Sequence, residues 1–125
     1  MNWLVVQSHF KRLVWRLLII VLALLGVKSL IIDLGRAEGR SMEPFINDNQ
    51  YFLVVKLPLL WSEPEVGDVV QLLVPDSNEL LVKRVTAKPS EDEYYVIGDN
   101  LAQSRDSRDF GTIKRTKILG KVIPF

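Results

Sequence analysis

Two periodicities divide the chain. From residue 13 to 32 it reads L-V-W-R-L-L-I-I-V-L-A-L-L-G-V-K-S-L-I-I, where only Arg16, Lys28 and Ser29 are polar. A run that is apolar on every side leaves no face for water, and twenty helical residues at ~1.5 Å each match the ~30 Å hydrocarbon core of a bilayer. The uncharged centre, residues 17–27, is shorter. Arg16 and Lys28 bracket it, where long side chains snorkel to the interfaces. The continuation V-K-S-L-I-I-D-L-G lacks the small-residue pattern of a cleavage site, so a retained anchor is expected over a removed leader.

From Gly35 the helical pattern stops and short β-rich runs take over: 51–56, 67–74, 79–88, 93–97 and 117–123. Turn residues separate them, in N-D-N at 47–49, P-E-V-G-D at 64–68, P-D-S-N at 75–78 and K-P-S-E-D at 88–92. This punctuation predicts a mainly β fold, with a small all-β domain after an N-terminal transmembrane helix. The expected organisation is a cytoplasmic N-terminus over 1–12, an anchor over 13–32 and a β domain over 33–125. The polar stretch 98–112 is too long for a simple turn and marks a functional or disordered loop. Segment 57–65, apolar but broken by prolines, fits packing under a loop or contact with a membrane surface or a peptide.

Charge sharpens this division. The first 32 residues hold four cations and no acid, while the remaining 93 hold twelve cations against fifteen acids, a balance of −3. By the positive-inside tendency the N-terminus stays cytoplasmic and the β domain is exported, with the lipid bilayer as one partner. A domain of that charge has no general affinity for nucleic acid. With no cysteine anywhere, thiol chemistry and disulfides are excluded. The one histidine, His9, precedes the apolar run, so the β domain has neither a Ser-His-Asp triad nor the usual zinc ligands, and no metal is expected. For a hydrolase, a carboxylate pair or a serine activated by lysine remain.

Strand alternation in E-L-L-V-K-R-V-T puts Leu81, Lys83 and Val85 on one face and Val82, Arg84 and Thr86 on the other. A lysine between Leu and Val is poorly solvated, which favours the neutral amine that can accept a hydroxyl proton. The same pattern fits a lysine guarding a strand edge. Ser41 lies in E-G-R-S-M-E-P, between the permissive Gly39 and the rigid Pro44. Alone, that is a serine in a turn.

Three segments together resemble the boxes of type I signal peptidases. S-M-E-P at 41–44, with Met42 beside the serine, resembles the nucleophile box. L-V-K-R-V-T-A-K-P at 81–89 resembles the lysine box, and G-D-N-L-A-Q-S-R-D-S-R-D-F-G at 98–111 the third. They stand in the family's order behind an apolar helix, and V-G-D-V-V at 66–70 is similar to the strand before the lysine box. The resemblance implies a serine endopeptidase with Ser41 as nucleophile and Lys83 as general base, needing no cofactor. It further implies that Ser104 orients the lysine amine, that Asp106 and Arg108 pair structurally, and that Asp99 and Asn100 shape the turn. The implied partner is an extended peptide, a signal peptide or propeptide with small residues beside the cut, bound as an added strand. Gly39 departs from members that carry a serine there to hold the oxyanion. Arg40 and Phe45 replace common glycine and threonine. Only 14 residues separate Lys83 from Gly98, so the large β insertion of some bacterial members is absent. The compact core also resembles peptidases that mature nickel-type superoxide dismutase and mitochondrial inner-membrane processing peptidases, beside general signal peptidases. A self-cleaving Ser-Lys repressor and an inactive anchored β module that binds peptides are the competing expectations.

Overall fold

The computed structural model describes residues 3–56 and 62–125. Two units are compact in themselves: one ends at Ile31, the other is Ile32–Phe125.

The first unit is a helix, α1 (Trp3–Ile31), longer at its N-terminus than the expected anchor. Lys28 in its last turn complements the helix dipole. Apolar side chains around the helix are exposed, including Trp15, Leu18, Ile19, Leu22 and Leu25. Among the described residues no helix is long and apolar enough to cross a membrane. The helix expected over 13–32 is present, but it does not by itself have the apolar length of a simple span. The uncharged run of residues 17–27 covers about 16 Å as a helix, half of a hydrocarbon core.

The second unit is one antiparallel sheet of seven strands, in the order β1-β2-β7-β3-β4-β5-β6. The strands are β1 (Ile32–Arg36), β2 (Tyr51–Val55), β3 (Val69–Leu73), β4 (Leu80–Ser90), β5 (Glu93–Ile97), β6 (Ile113–Lys114) and β7 (Ile118–Pro124). The predicted runs near 51, 67, 79, 93 and 117 became β2, β3, β4, β5 and β7. Strand β1 was expected as the tail of the anchor and its exit. The apolar segment 57–65 lies partly outside the described residues, at 57–61.

Local chemistry explains the turns. Asp76 and Asn78 take φ of 73° and 54° in the β3–β4 hairpin, a region that Asp and Asn enter more cheaply than branched residues. The polar stretch is ordered. A 3₁₀ turn at Leu101–Gln103 leads into a short helix, α2 (Ser107–Phe110), started by an Asp106–Asp109 capping box. Alternation along β3 feeds two cores. Val70 and Leu72 join Val74, Val85, Tyr94, Val96, Ile113 and Ile118 on one side. Val69 joins Met42, Ile46, Phe52, Val54 and Val122 on the other. Fully burying each large side chain contributes about 1.5–3 kcal/mol.

Candidate active site

Lys83 and Ser41, 42 positions apart, meet where these two cores adjoin. Lys83 lies on the β4 face that packs Val85 and Leu81 into the first core, whereas Met42, next to Ser41, is seated in the second. Each residue is thus held by burial of its neighbours. Lys83 Nζ is 2.8 Å from Ser41 Oγ and donates to the Val82 carbonyl at 3.1 Å. The lysine is only 2% exposed. Burial pushes its pKa down from the ordinary lysine value, against the opposing charges of Asp106 and Glu79.

The third box forms the scaffold behind this pair. Asp106 is fully buried. Its carboxylate accepts from Ser104 Oγ at 2.7 Å, from the Gly98 N–H at 3.0 Å and from Arg108 Nε and Nη2 at 2.8 and 2.9 Å. Burial alone would raise its pKa, but these donors together with the Arg108 N–H outweigh that and hold it well below the usual carboxylate range. The Arg108 guanidinium also donates to the Leu101 carbonyl at 2.9 Å. The Ser104 hydroxyl donates to Asp106, and no hydrogen bond joins it to Lys83 among the described residues. Ser104 instead packs against Gly98. A Cβ on Gly98 would overlap the Ser104 hydroxyl and lie 2.7 Å from the Ser41 carbonyl oxygen, so Gly98 lets both approach the same stretch of backbone.

Asn100 holds the turn that carries Ser41 directly. Its N–H donates to the Ser41 carbonyl at 2.9 Å and its side-chain amide to the Arg40 carbonyl at 3.0 Å. Asp99 faces the other way, accepting a two-pronged pair from Arg84 at 2.8 and 2.7 Å. Arg84 also donates to the Gly67 carbonyl at 2.8 Å and lies over the Phe45 ring, 4.7 Å from its centre. One guanidinium therefore joins the lysine strand, the third box and the segment after Ser41. Sequence reasoning gave Arg84, Gly98 and Phe45 no part in this. Their signal was positional: Arg84 follows the lysine on the opposite strand face, and Phe45 follows the nucleophile box. Gly39 takes φ of 91°, which favours glycine, and its N–H donates to Asp48 Oδ1 at 2.9 Å.

Ser41 and Lys83 line a groove of about 470 Å³. Residues 33–39 line one wall, Leu80–Lys83 the other, and Met42, Phe52, Gln71 and Leu119 lie between them. Both walls carry free strand edges. Among the described residues, strand β1 ends the sheet and pairs only with β2. Strand β4 pairs with β5 only from Arg84 onward, so Leu80–Lys83 have no partner strand on that side among the described residues. Unpaired backbone on both walls suits a peptide added as a strand.

The chain matches the family described as signal peptidase, peptidase S26, over residues 10–92 and 89–125. It is 35% identical over 121 residues to mitochondrial inner membrane protease subunit 2 of Schizosaccharomyces pombe, covering 80% of this chain and 67% of that protein. It is 28% identical over 117 residues to subunit 1 of the same yeast's protease, covering 78% and 74%. With the probable signal peptidase I-2 of Synechocystis sp. it shares 21% identity over 143 residues, covering 81% and 66%.

Proposed function

The chain belongs to the signal peptidase family, peptidase S26, and from that premise we propose that it is a serine endopeptidase in which Ser41 and Lys83 form the catalytic dyad and which removes N-terminal signal peptides or propeptides. The observation that carries this reading is the 2.8 Å approach of a buried lysine amine to a serine hydroxyl at the end of a groove with two free strand edges.

In the proposed reaction the substrate lies as a strand between β1 and Leu80–Lys83. Neutral Lys83 Nζ takes the Ser41 proton as Oγ attacks the scissile carbonyl carbon. The resulting ammonium gives that proton to the leaving amine as the C–N bond breaks. Water then attacks the acyl-enzyme with the same amine as base, which frees Ser41. The Ser41 N–H is the proposed backbone donor to the oxyanion. Asn100 fixes this peptide by holding the carbonyls of Arg40 and Ser41.

Attachment to a membrane through α1 is part of the proposal. The apolar side chains exposed around the helix support it. Arg16 and Lys28 must then snorkel towards opposite interfaces. The charge asymmetry of the chain puts the catalytic unit on the exported side.

The test is cleavage of precursor proteins by the full chain in membranes or detergent. Ser41→Ala and Lys83→Ala should each lower turnover at least about a thousandfold while folding is retained. Near-normal processing by either variant would sink the Ser-Lys reading. General signal-peptide precursors and a nickel-type superoxide dismutase precursor, assayed side by side, distinguish broad processing from a dedicated maturation role.

A further inference from the structure

Of the polar side chains in the groove that take no part in the proposed chemistry, Gln71 is the one on its floor. Gln71 lies in the middle of β3, across from Val82 on one neighbouring strand and Gly120 on the other. Its flanking residues Val70 and Leu72 face the first core, so alternation turns Gln71 to the opposite side. There it lines the groove among Met42, Phe52, Val82 and Leu119. The β3–β7 register shifts between Gln71 and Leu72, which leaves Leu119 as an extra residue beside the amide. The Gln71 side chain is half-buried and makes no hydrogen bond among the described residues.

The facing wall leaves room for a substrate side chain at Gly39, where an added Cβ would meet nothing, but not at Gly35. At alternate positions along it stand Gly35, Ala37 and Gly39, with the Phe52 ring against Gly35. Water can satisfy the Gln71 amide while the groove is open. A peptide strand laid over it removes that water. The amide must then bond the peptide or remain unpaired, and an apolar residue above it forfeits the bond.

We propose that Gln71 is a specificity-determining residue, whose amide reads a hydrogen-bonding side chain (Asn, Gln, Ser or Thr) at a floor-facing position of the bound peptide. This deepens the peptidase reading and rests on it for the identity of the ligand. Because Gln71 is level with Val82, next to Lys83, the position read is within about three residues of the scissile bond.

The probes are extended peptides with alanine on both sides of the cut. They are made as near-isosteric pairs, Thr against Val and Gln against Met, at each position within that range. Cleavage by the wild-type chain should favour the polar member about tenfold or more at one floor-facing position. Gln71→Met should cancel or reverse that preference there and nowhere else. Gln71→Glu should extend it to lysine, because a carboxylate accepts from an ammonium. The same peptides are bound to the Ser41→Ala chain with and without Gln71→Met. Cleavage whose preferences are identical in wild type and Gln71→Met overturns the inference and leaves the peptidase reading intact. If nothing is cleaved but binding shows the Gln71-dependent preference, the inference survives and the peptidase reading fails. Absence of both cleavage and binding defeats both.

Discussion

The amine of Lys83 is removed from water by Val85, Leu81 and the core beneath them, yet it remains within reach of a serine. Removal from water is what the proposed role as a base requires. A solvated lysine titrates near ~10.4 and is almost fully charged at neutral pH. Burial lowers that value, although the negative charges of Asp106 and Glu79 pull it back. Activity should therefore rise with pH along a limb centred below the free-lysine value, measured as kcat/KM across the alkaline range. Lys83→Arg should be inactive at every pH, because guanidinium keeps its proton. An active arginine variant would show that Lys83 serves as a fixed charge. Stability carries the same sign. Between the lowered pKa and ~10.4 the unfolded chain binds a proton that the folded one has lost, so folding becomes more favourable as pH rises through that window.

At the scale of elements, the site is one strand, a turn and a polar loop held together by charge and hydrogen bonds. Helix α2 has only four residues and no length to stabilise itself, so its capping box and the bond from the Val96 N–H to Ser107 Oγ at 2.8 Å hold it to β5. Asp106 is the shared anchor. Its folded pKa is depressed, so its contribution is fully present above the ordinary aspartate value near ~3.9 and is lost as pH falls from there towards the folded pKa. Asp106→Asn should cost on the order of 1–3 kcal/mol at neutral pH, since it takes the charge from a buried carboxylate that accepts several hydrogen bonds. It should also flatten the acid limb, as read by Tm against pH for both proteins. An unchanged acid limb would place the sensitivity elsewhere. The elements behind this site were legible to different degrees. The lysine strand was readable because alternation in L-L-V-K-R-V coincides with what the core demands. Strand β1 was not, because I-D-L-G-R continues an apolar run and its pairing with β2 depends on residues 15 or more positions away. The polar stretch read as a loop because its order comes from Asp106, whose donors arrive from Gly98, Ser104 and Arg108. Such convergence of short polar side chains has no period along the chain.

At the scale of the whole molecule, the proposed membrane attachment turns on two side chains. The helix from Arg16 to Lys28 is about 20 Å long at 1.5 Å per residue. If each long side chain reaches roughly 5 Å beyond its backbone, the apolar layer between the charged groups extends to about 30 Å, the thickness of a hydrocarbon core. Without that reach α1 is too short, and the chain would lie along one interface. The two arrangements separate in one experiment. Cells producing the chain are converted to spheroplasts and treated with protease from outside. With the four cations of the first 32 residues retained inside, the catalytic unit should be digested in intact spheroplasts, and an N-terminal tag should survive until lysis. Protection of both ends before lysis would mean that α1 does not cross. Digestion of the tag with protection of the catalytic unit would reverse the orientation. Shortening the reach provides the complementary arm. Arg16→Asp replaces a snorkelling cation at the end of the span with a short acid that cannot reach the interface, which shortens the apolar layer and should lower the fraction of the chain retained in membranes. An interfacial helix would tolerate the same change, because its polar residues already face water. Full retention of the Arg16→Asp chain in carbonate-washed membranes would therefore argue against the span, even if the catalytic dyad behaves as proposed.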